Sequence, residues 1–382
     1  MKLGLKTMGP ALVAFALAGL AISCGDRAST AVTTPASTST PPPSIVPPTP
    51  GCDPSFATDI EVSGADRDGF PPYAVGGCTL VYLSRAGDLV ARDLASRAET
   101  TLAAASERPR RPAASAELIA WEAEEGSHSV VRVRAAGVIR TVPGNFASSG
   151  EPRASGTTVV FTAWKGPSAT DDTDVWVYDA TTGEAKTAIG GAGQQRFADI
   201  SSKYIAASDF AEDPDGRFDN NETDVANVVI LDRASGVLTE RRLPGKQAFP
   251  MLGDNDVLAY LDWASIHPEP KLVAYGLRGG NVLGDPASDR TIATVYYASA
   301  AYARPALAGS ILEWVANPDG RTTLWRAPAD GSAAPEAVRG LDALRLYAPA
   351  PTASGTARGF TVLATSPSGV SDSLPRLRAV TR

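Results

Sequence analysis

The sequence predicts an all-β protein, a β-propeller of three- to four-stranded antiparallel blades, with seven blades favoured and six as the alternative. Three observations lead there. A motif recurs along most of the chain: a Pro, then a short apolar run ending in an aromatic residue, with a Ser three residues after the Pro in the units at Pro112, Pro152 and Pro351. Each motif is followed by a second β-branched or aromatic run. Glycine-bearing turns separate these runs, and the chain holds 35 Gly and 30 Pro. A unit of about 40–55 residues with several short strands is the period of a propeller blade. One such sheet cannot bury both faces alone, whereas blades packed around an axis can.

The clearest pair runs from Pro112 through Ser115 to Trp121, and from Pro152 through Ser155 to Phe161. Pro305 repeats the scheme with Leu312 and Trp314, and Pro351 with Ser354 and Phe360. Pro72 and Pro250 repeat it with one extra residue, reaching Tyr82 and Tyr260. A seventh unit lacks the Pro but keeps the register with Phe197, Tyr204 and Ile205. The Pro-to-Pro spacings are 40, 40, 98, 55 and 46, the long one spanning the unit without Pro.

The second strands begin at Leu89, Val130, Val175, Val228, Leu272, Leu324 and Leu374. Turns follow most of them, at Gly183, Gly236, Gly280 and Gly331, and weaker third strands such as 237–242 come next. Dense apolar runs between Gly turns read as antiparallel meanders. The aromatics that end the first strands belong between blades, as core.

Arg111, Pro112 and Ser115, followed by Ile119, Ala120 and Trp121, resemble the repeat of TolB-type and related WD-like propellers. The resemblance covers roughly residues 67–382. It implies a propeller, although the TolB propeller has six blades against seven motif starts here. The usual Pro-Asp-Gly turn after the Ser is missing.

The last unit runs out of chain after its second strand. Residues 59–62, which precede the first unit, are therefore expected to complete it in a velcro closure. Cys52 and Cys78 form an even pair once Cys24 is set aside, and in an oxidising compartment they predict a disulfide. It would stabilise by about 3.5 kcal/mol in the chain-entropy model. It would also tie the closing strand to the first blade.

The first residues carry export signals. Lys2 and Lys6 precede an apolar stretch, Met8 to Ile22, which is shorter than the roughly 20 residues that span a bilayer. It ends in Leu20, Ala21, Ile22, Ser23 and Cys24, which resembles the lipobox of bacterial lipoproteins. That resemblance implies a signal peptide over 1–23 and lipidation of Cys24. Residues 24–51 form a linker rich in Pro, Ser and Thr, extended and disordered by composition. At about 3.1 Å per residue it could reach roughly 80 Å. The propeller domain occupies 52–382. The chain is placed in the cell envelope, in the periplasm or at the cell surface. Gly25 follows the lipidated Cys where Asp would favour inner-membrane retention, so the outer membrane is preferred.

The formal net charge is −7 and the pI about 5.1, which argues against a nucleic-acid partner. The two histidines, His128 and His267, sit in no nucleophile or metal spacing, and no catalytic motif occurs. No catalytic residue is assigned. One acidic loop stands out, with Asp213, Asp215, Asp219, Asn221 and Asp224 as candidate Ca²⁺ ligands. The equivalent loop one unit earlier carries Asp171, Asp172 and Asp174, and the two should be neighbours. Those three, with Tyr296, Tyr297 and Tyr302, are candidate partner contacts. The expected function is a monomeric, lipid-anchored scaffold that binds an envelope protein or polymer. The alternatives are a hydrolase or lyase acting on carbohydrate or peptide, and a calcium-dependent adhesion or sensory module.

Overall fold

The computed structural model describes residues 52–63, 70–218, 224–253, 256–263, 274–296, 304–316, 323–339, 341, 344–346, 349–351, 360–367 and 375–381. Among these residues there are seven four-stranded antiparallel sheets. They are seven blades in chain order, spanning residues 73–103, 110–141, 148–189, 195–241, 247–296, 306–337 and 344–381. The innermost strands are Tyr73–Gly76, Arg110–Ala114, Ser148–Ser155, Gln195–Ile200, Gln247–Leu252 and Ala306–Ala308, then Leu344–Leu346 with Ala350–Pro351. Each touches the next around the axis, and the last touches the first, so the ring is closed.

Burial falls from the inside outward, as blade packing requires. In blade 2 the strand Leu118–Glu125 is buried over its first six residues, while the outer strand Val138–Thr141 is exposed throughout. The repeated aromatics Tyr82, Trp121, Phe161, Tyr260, Trp314 and Phe360 are all buried. They fill the space between neighbouring sheets, as the sequence pattern predicts.

The inner strand departs from that pattern. The sequence places the Pro-x-x-Ser segment ahead of the first strand. Instead Arg110–Ala114, which contains Pro112, is itself the first strand, and the run ending in Trp121 is the second. Pro cannot donate to a ladder, so it reads as a strand breaker. Here the strand has an open edge facing the axis and needs a partner on one side alone. The Pro also follows a bulge. Arg111, Glu151, Phe197 and Phe249 occupy equivalent places with φ between 51° and 58°, and the strand register shifts at each. A left-handed residue costs backbone energy, and in a bulge it bends the strand and re-aims its side chains.

The motif Ser closes the inner turn. Ser115 Oγ accepts from the backbone N–H of Leu118 (3.1 Å) and Glu117 (3.2 Å), and donates to Gly156 O of the next blade at 2.7 Å. Two glycines let adjacent inner strands approach. A Cβ at Gly76 would lie 2.2 Å from Ser115 O, and one at Gly253 would lie 2.0 Å from Gly309 O.

The ring closes as the velcro expectation requires. Asp59 N donates to Leu377 O (3.0 Å), Leu377 N to Ile60 O (2.9 Å) and Val62 N to Pro375 O (3.0 Å). Residues 59–62 thus lie antiparallel on Arg376–Thr381, outside blade 7. The Cys52–Cys78 disulfide is present, with a Cα–Cα distance of 5.2 Å. It fastens the chain just before this segment to the first turn of blade 1.

Candidate functional site: the central channel and the loop face

The alternation of strand direction gives the ring two unlike ends. Inner turns such as Gly77, Glu117, Gly156 and Ser201 lie at one end. The long loops between second and third strands lie at the other. A cavity of 670 Å³ runs along the axis between them.

Its end toward the loops is filled by aromatic rings and guanidinium groups. Phe70 lies beneath Arg304 (3.8 Å), Arg111 (4.6 Å) and Arg153 (5.0 Å). Arg304 also lies over Phe249 (4.4 Å) and Phe197 (4.7 Å), and those two rings are 4.5 Å apart. Guanidinium groups stack on rings through the ring quadrupole, at roughly 0.5–2 kcal/mol each. Nothing in the repeat pattern marks Phe70. Arg304 stands directly before Pro305, as Arg111 stands before Pro112, which is the one sequence signal for it.

Two carboxylates lie beside this plug. Glu151 is fully buried and accepts from Arg196 Nη2 (2.5 Å) and Thr162 Oγ1 (2.8 Å), with Arg111 at 3.5 Å. Burial opposes its ionisation, but Arg196 and Arg111 outweigh that and hold its pKa at about 2. Glu122 is buried, accepts from Arg110 Nε (2.6 Å), and lies 3.4 Å from Arg111. Side by side they have the look of an acid–base pair. Glu151, however, carries no proton to give near neutral pH, and both carboxylates are bound by arginines. Asp199 faces the cavity. Desolvation raises its pKa, against the nearby Arg153 charge and a 2.8 Å hydrogen bond from Leu252 N.

The structure brings the two acidic loops together, as expected. Gln194, just ahead of the inner strand of blade 4, joins them. Its Nε2 donates to Ala169 O (3.0 Å) and Asp171 O (3.0 Å) in the blade 3 loop. Its backbone N donates to Gly216 O (2.8 Å), and its Oε1 accepts from Phe218 N (3.0 Å) in the blade 4 loop.

The individual acidic residues are used differently. Asp172 is exposed, and Asp174 pairs with Lys165 at 2.9 Å. Asp171 accepts from Ser168 N at 2.7 Å. Asp213 accepts from Val225 N (2.7 Å) and Asp215 N (3.0 Å), and these donors lower its pKa against the effect of burial. Asp215 is exposed and pairs with Arg217 at 2.8 Å, while Asp224 is buried against Lys246 at 3.3 Å. Among the described residues no group of three or more His, Cys, Asp or Glu could hold a metal ion. Asp219 and Asn221 of the calcium expectation lie outside the described residues, as do Cys24, Tyr297, Tyr302 and His267. Tyr296 ends the outer strand of blade 5, Arg290–Tyr296, and His128 is exposed.

No protein-family model matches the sequence, and no curated protein matches it. Solved structures do. The β-propeller domain of the Trilobed protease from Pyrococcus furiosus, which has an open velcro topology, matches with a TM-score of 0.56 at 9% identity, over 85% of this chain and 97% of that one. A chain of the mitotic checkpoint complex matches with a TM-score of 0.52 at 13% identity, over 91% and 98%. TolB from Acinetobacter baumannii matches with a TM-score of 0.43 at 16% identity, over 64% of this chain and 57% of TolB. The chain therefore spans little more than half the length of that TolB. What the first two share with it, at such identities, is the fold alone.

Proposed function

We propose that this is an exported, lipid-anchored propeller of the bacterial envelope that binds a protein partner through its loop face. The observation that carries the reading is the Gln194 bridge, which joins the loops of blades 3 and 4 into one acidic platform. Asp172 and Asp215 are exposed on it, and Glu212 stands beside them, reached by Arg242 at 2.9 Å. A basic patch is the complementary chemistry for the partner. The channel supports the same reading, because its carboxylates are bound within the fold by arginines and backbone N–H groups.

Within this proposal, residues 1–23 direct export, Cys24 takes lipid, and 24–51 hold the propeller away from the membrane. A two-signal lipid anchor is stable, at about 0.8 kcal/mol per buried methylene. The Cys52–Cys78 disulfide supports an oxidising compartment.

The test is affinity capture from the source envelope with the mature protein, beside an Asp171→Asn, Asp172→Asn, Asp215→Asn variant. One or two proteins held by the wild type and lost with the variant, more weakly as salt rises, support the reading. A capture profile unchanged by the variant removes the acidic platform from it.

A further inference from the structure

We propose that the Cys52–Cys78 disulfide is a redox latch on the seam of the ring, and that its reduction frees the closing strand while the other blades stay folded. Besides the disulfide, the closing strand is held by a small set of contacts. Residues 59–62 are joined to blade 7 by three backbone hydrogen bonds, between Asp59 and Leu377, Leu377 and Ile60, and Val62 and Pro375. Glu61 adds ion pairs to Arg376 (2.8 Å) and Arg85 (3.6 Å), but those arginine side chains are 55% and 71% exposed. Exposed pairs of this kind contribute little. The apolar contribution comes from Ala57 and Val62, buried against the cluster of Tyr73, Leu80, Leu94, Phe360 and Leu377.

The segment also bridges two blades. At its start, Asp53 N donates to Leu94 O of blade 1 at 2.8 Å, next to the disulfide. Residues 59–62 then lie on blade 7, and the segment returns to blade 1, where Ser63 N donates to Leu83 O at 3.1 Å and Val62 bridges Ser84; Arg92 of blade 1 also donates to Phe56 O at 3.0 Å. The covalent bond spans 26 residues and holds one side of the bridge in place whenever the other side frays. Both half-cystines are partly exposed, so a soluble reductant can reach them.

The chemistry is thiol–disulfide exchange. A thiolate of a dithiol reductant attacks one sulfur, a mixed disulfide forms, and the second thiolate displaces it. Two electrons pass to the protein. Cys52 and Cys78 leave as two thiols and the reductant leaves as a disulfide. The strand then keeps its short ladder, its hydrogen bonds to blade 1 and the burial of Ala57 and Val62 but loses its covalent tie, and the outer edge of Arg376–Thr381 opens on release. An open edge strand is a template for pairing with another strand.

The test is hydrogen–deuterium exchange on the mature protein, oxidised and after treatment with dithiothreitol. The amides of Asp59, Val62 and Leu377 should exchange roughly a hundredfold faster once reduced, while those of Val160 and Val229 in blades 3 and 4 keep their rates. A Cys52→Ser, Cys78→Ser variant should match the reduced protein without any reductant. Seam amides that keep their rates on reduction would overturn the proposal. So would an equal acceleration across all seven blades, which would make the disulfide a global brace instead of a latch.

Discussion

The backbone N–H of Glu151 in blade 3 donates to the carboxylate of Glu122 in blade 2, 3.3 Å away. The same relationship recurs one blade further on, where Phe197 N donates to Glu151 Oε2 at 3.3 Å, and again where Phe249 N donates to Ser208 Oγ at 2.9 Å. In each case the donor is the left-handed residue of an inner-strand bulge. Its N–H is turned out of its own ladder and toward the preceding blade. The bulges thus act as clasps between blades, satisfying a buried donor that would otherwise cost about 1–3 kcal/mol.

Glu151→Gln should destabilise the fold by about 3–5 kcal/mol, because Arg196 would be left as a buried charge without its counter-ion, while Arg111 would lose Glu151 and keep Glu122. Denaturant midpoints at neutral pH check this. The same residue sets an acid dependence. Its folded-state pKa is about 2, below the ordinary 4.5, so its stabilisation is complete above 4.5 and lost as pH falls toward 2. The wild type should lose more stability than Glu151→Gln across that window.

Ser208→Ala should cost about 1–3 kcal/mol, since Phe249 N keeps its buried position and loses its acceptor. Ser208→Thr keeps the hydroxyl and should recover most of the loss if its methyl is accommodated. Thermal melts of the three proteins decide it, and equal melting of Ser208→Ala and wild type would remove the clasp.

Gly253→Ala places a methyl 2.0 Å from Gly309 O, a backbone atom that cannot swing aside. Blades 5 and 6 would have to part. Overpacking of this kind costs about 1–3 kcal/mol. Gly183→Ala has open space around its Cβ and meets a backbone penalty alone, from a φ of 77°. The Gly253 variant should therefore be the less stable of the two.

Much of the architecture was legible in the sequence because the motif has a local cause. The Ser caps the inner turn within its own unit, and the aromatic fills the space beside the next blade. The aromatic recurs in most units and the Ser in several, at 115, 155 and 201 among others, so Ser115 and Trp121 announce themselves. The inner strand was not legible. Pro112 after a left-handed Arg111 contradicts the rules for a strand paired on both sides, and the open edge on the axis is a property of the closed ring. The clasps were missed for a related reason. Glu122 and Ser208 each stand eleven residues after a bulge residue, but their chemistry differs and the N–H groups they accept from lie in the next unit, while the third acceptor, Glu151, is itself a bulge residue. The neighbourhood of the acidic loops followed from blade order, whereas the Gln194 bridge that fixes them did not.

The platform of blades 3 and 4 is tested most directly by site-specific photo-crosslinking in the native envelope. A photoreactive amino acid would replace exposed Asp172 on the loop face in one protein, and exposed Glu117 on the opposite, turn face in another. A discrete protein adduct from position 172 and none from position 117 is the predicted result. An adduct from 117 with none from 172 would place the partner on the other face and contradict the account.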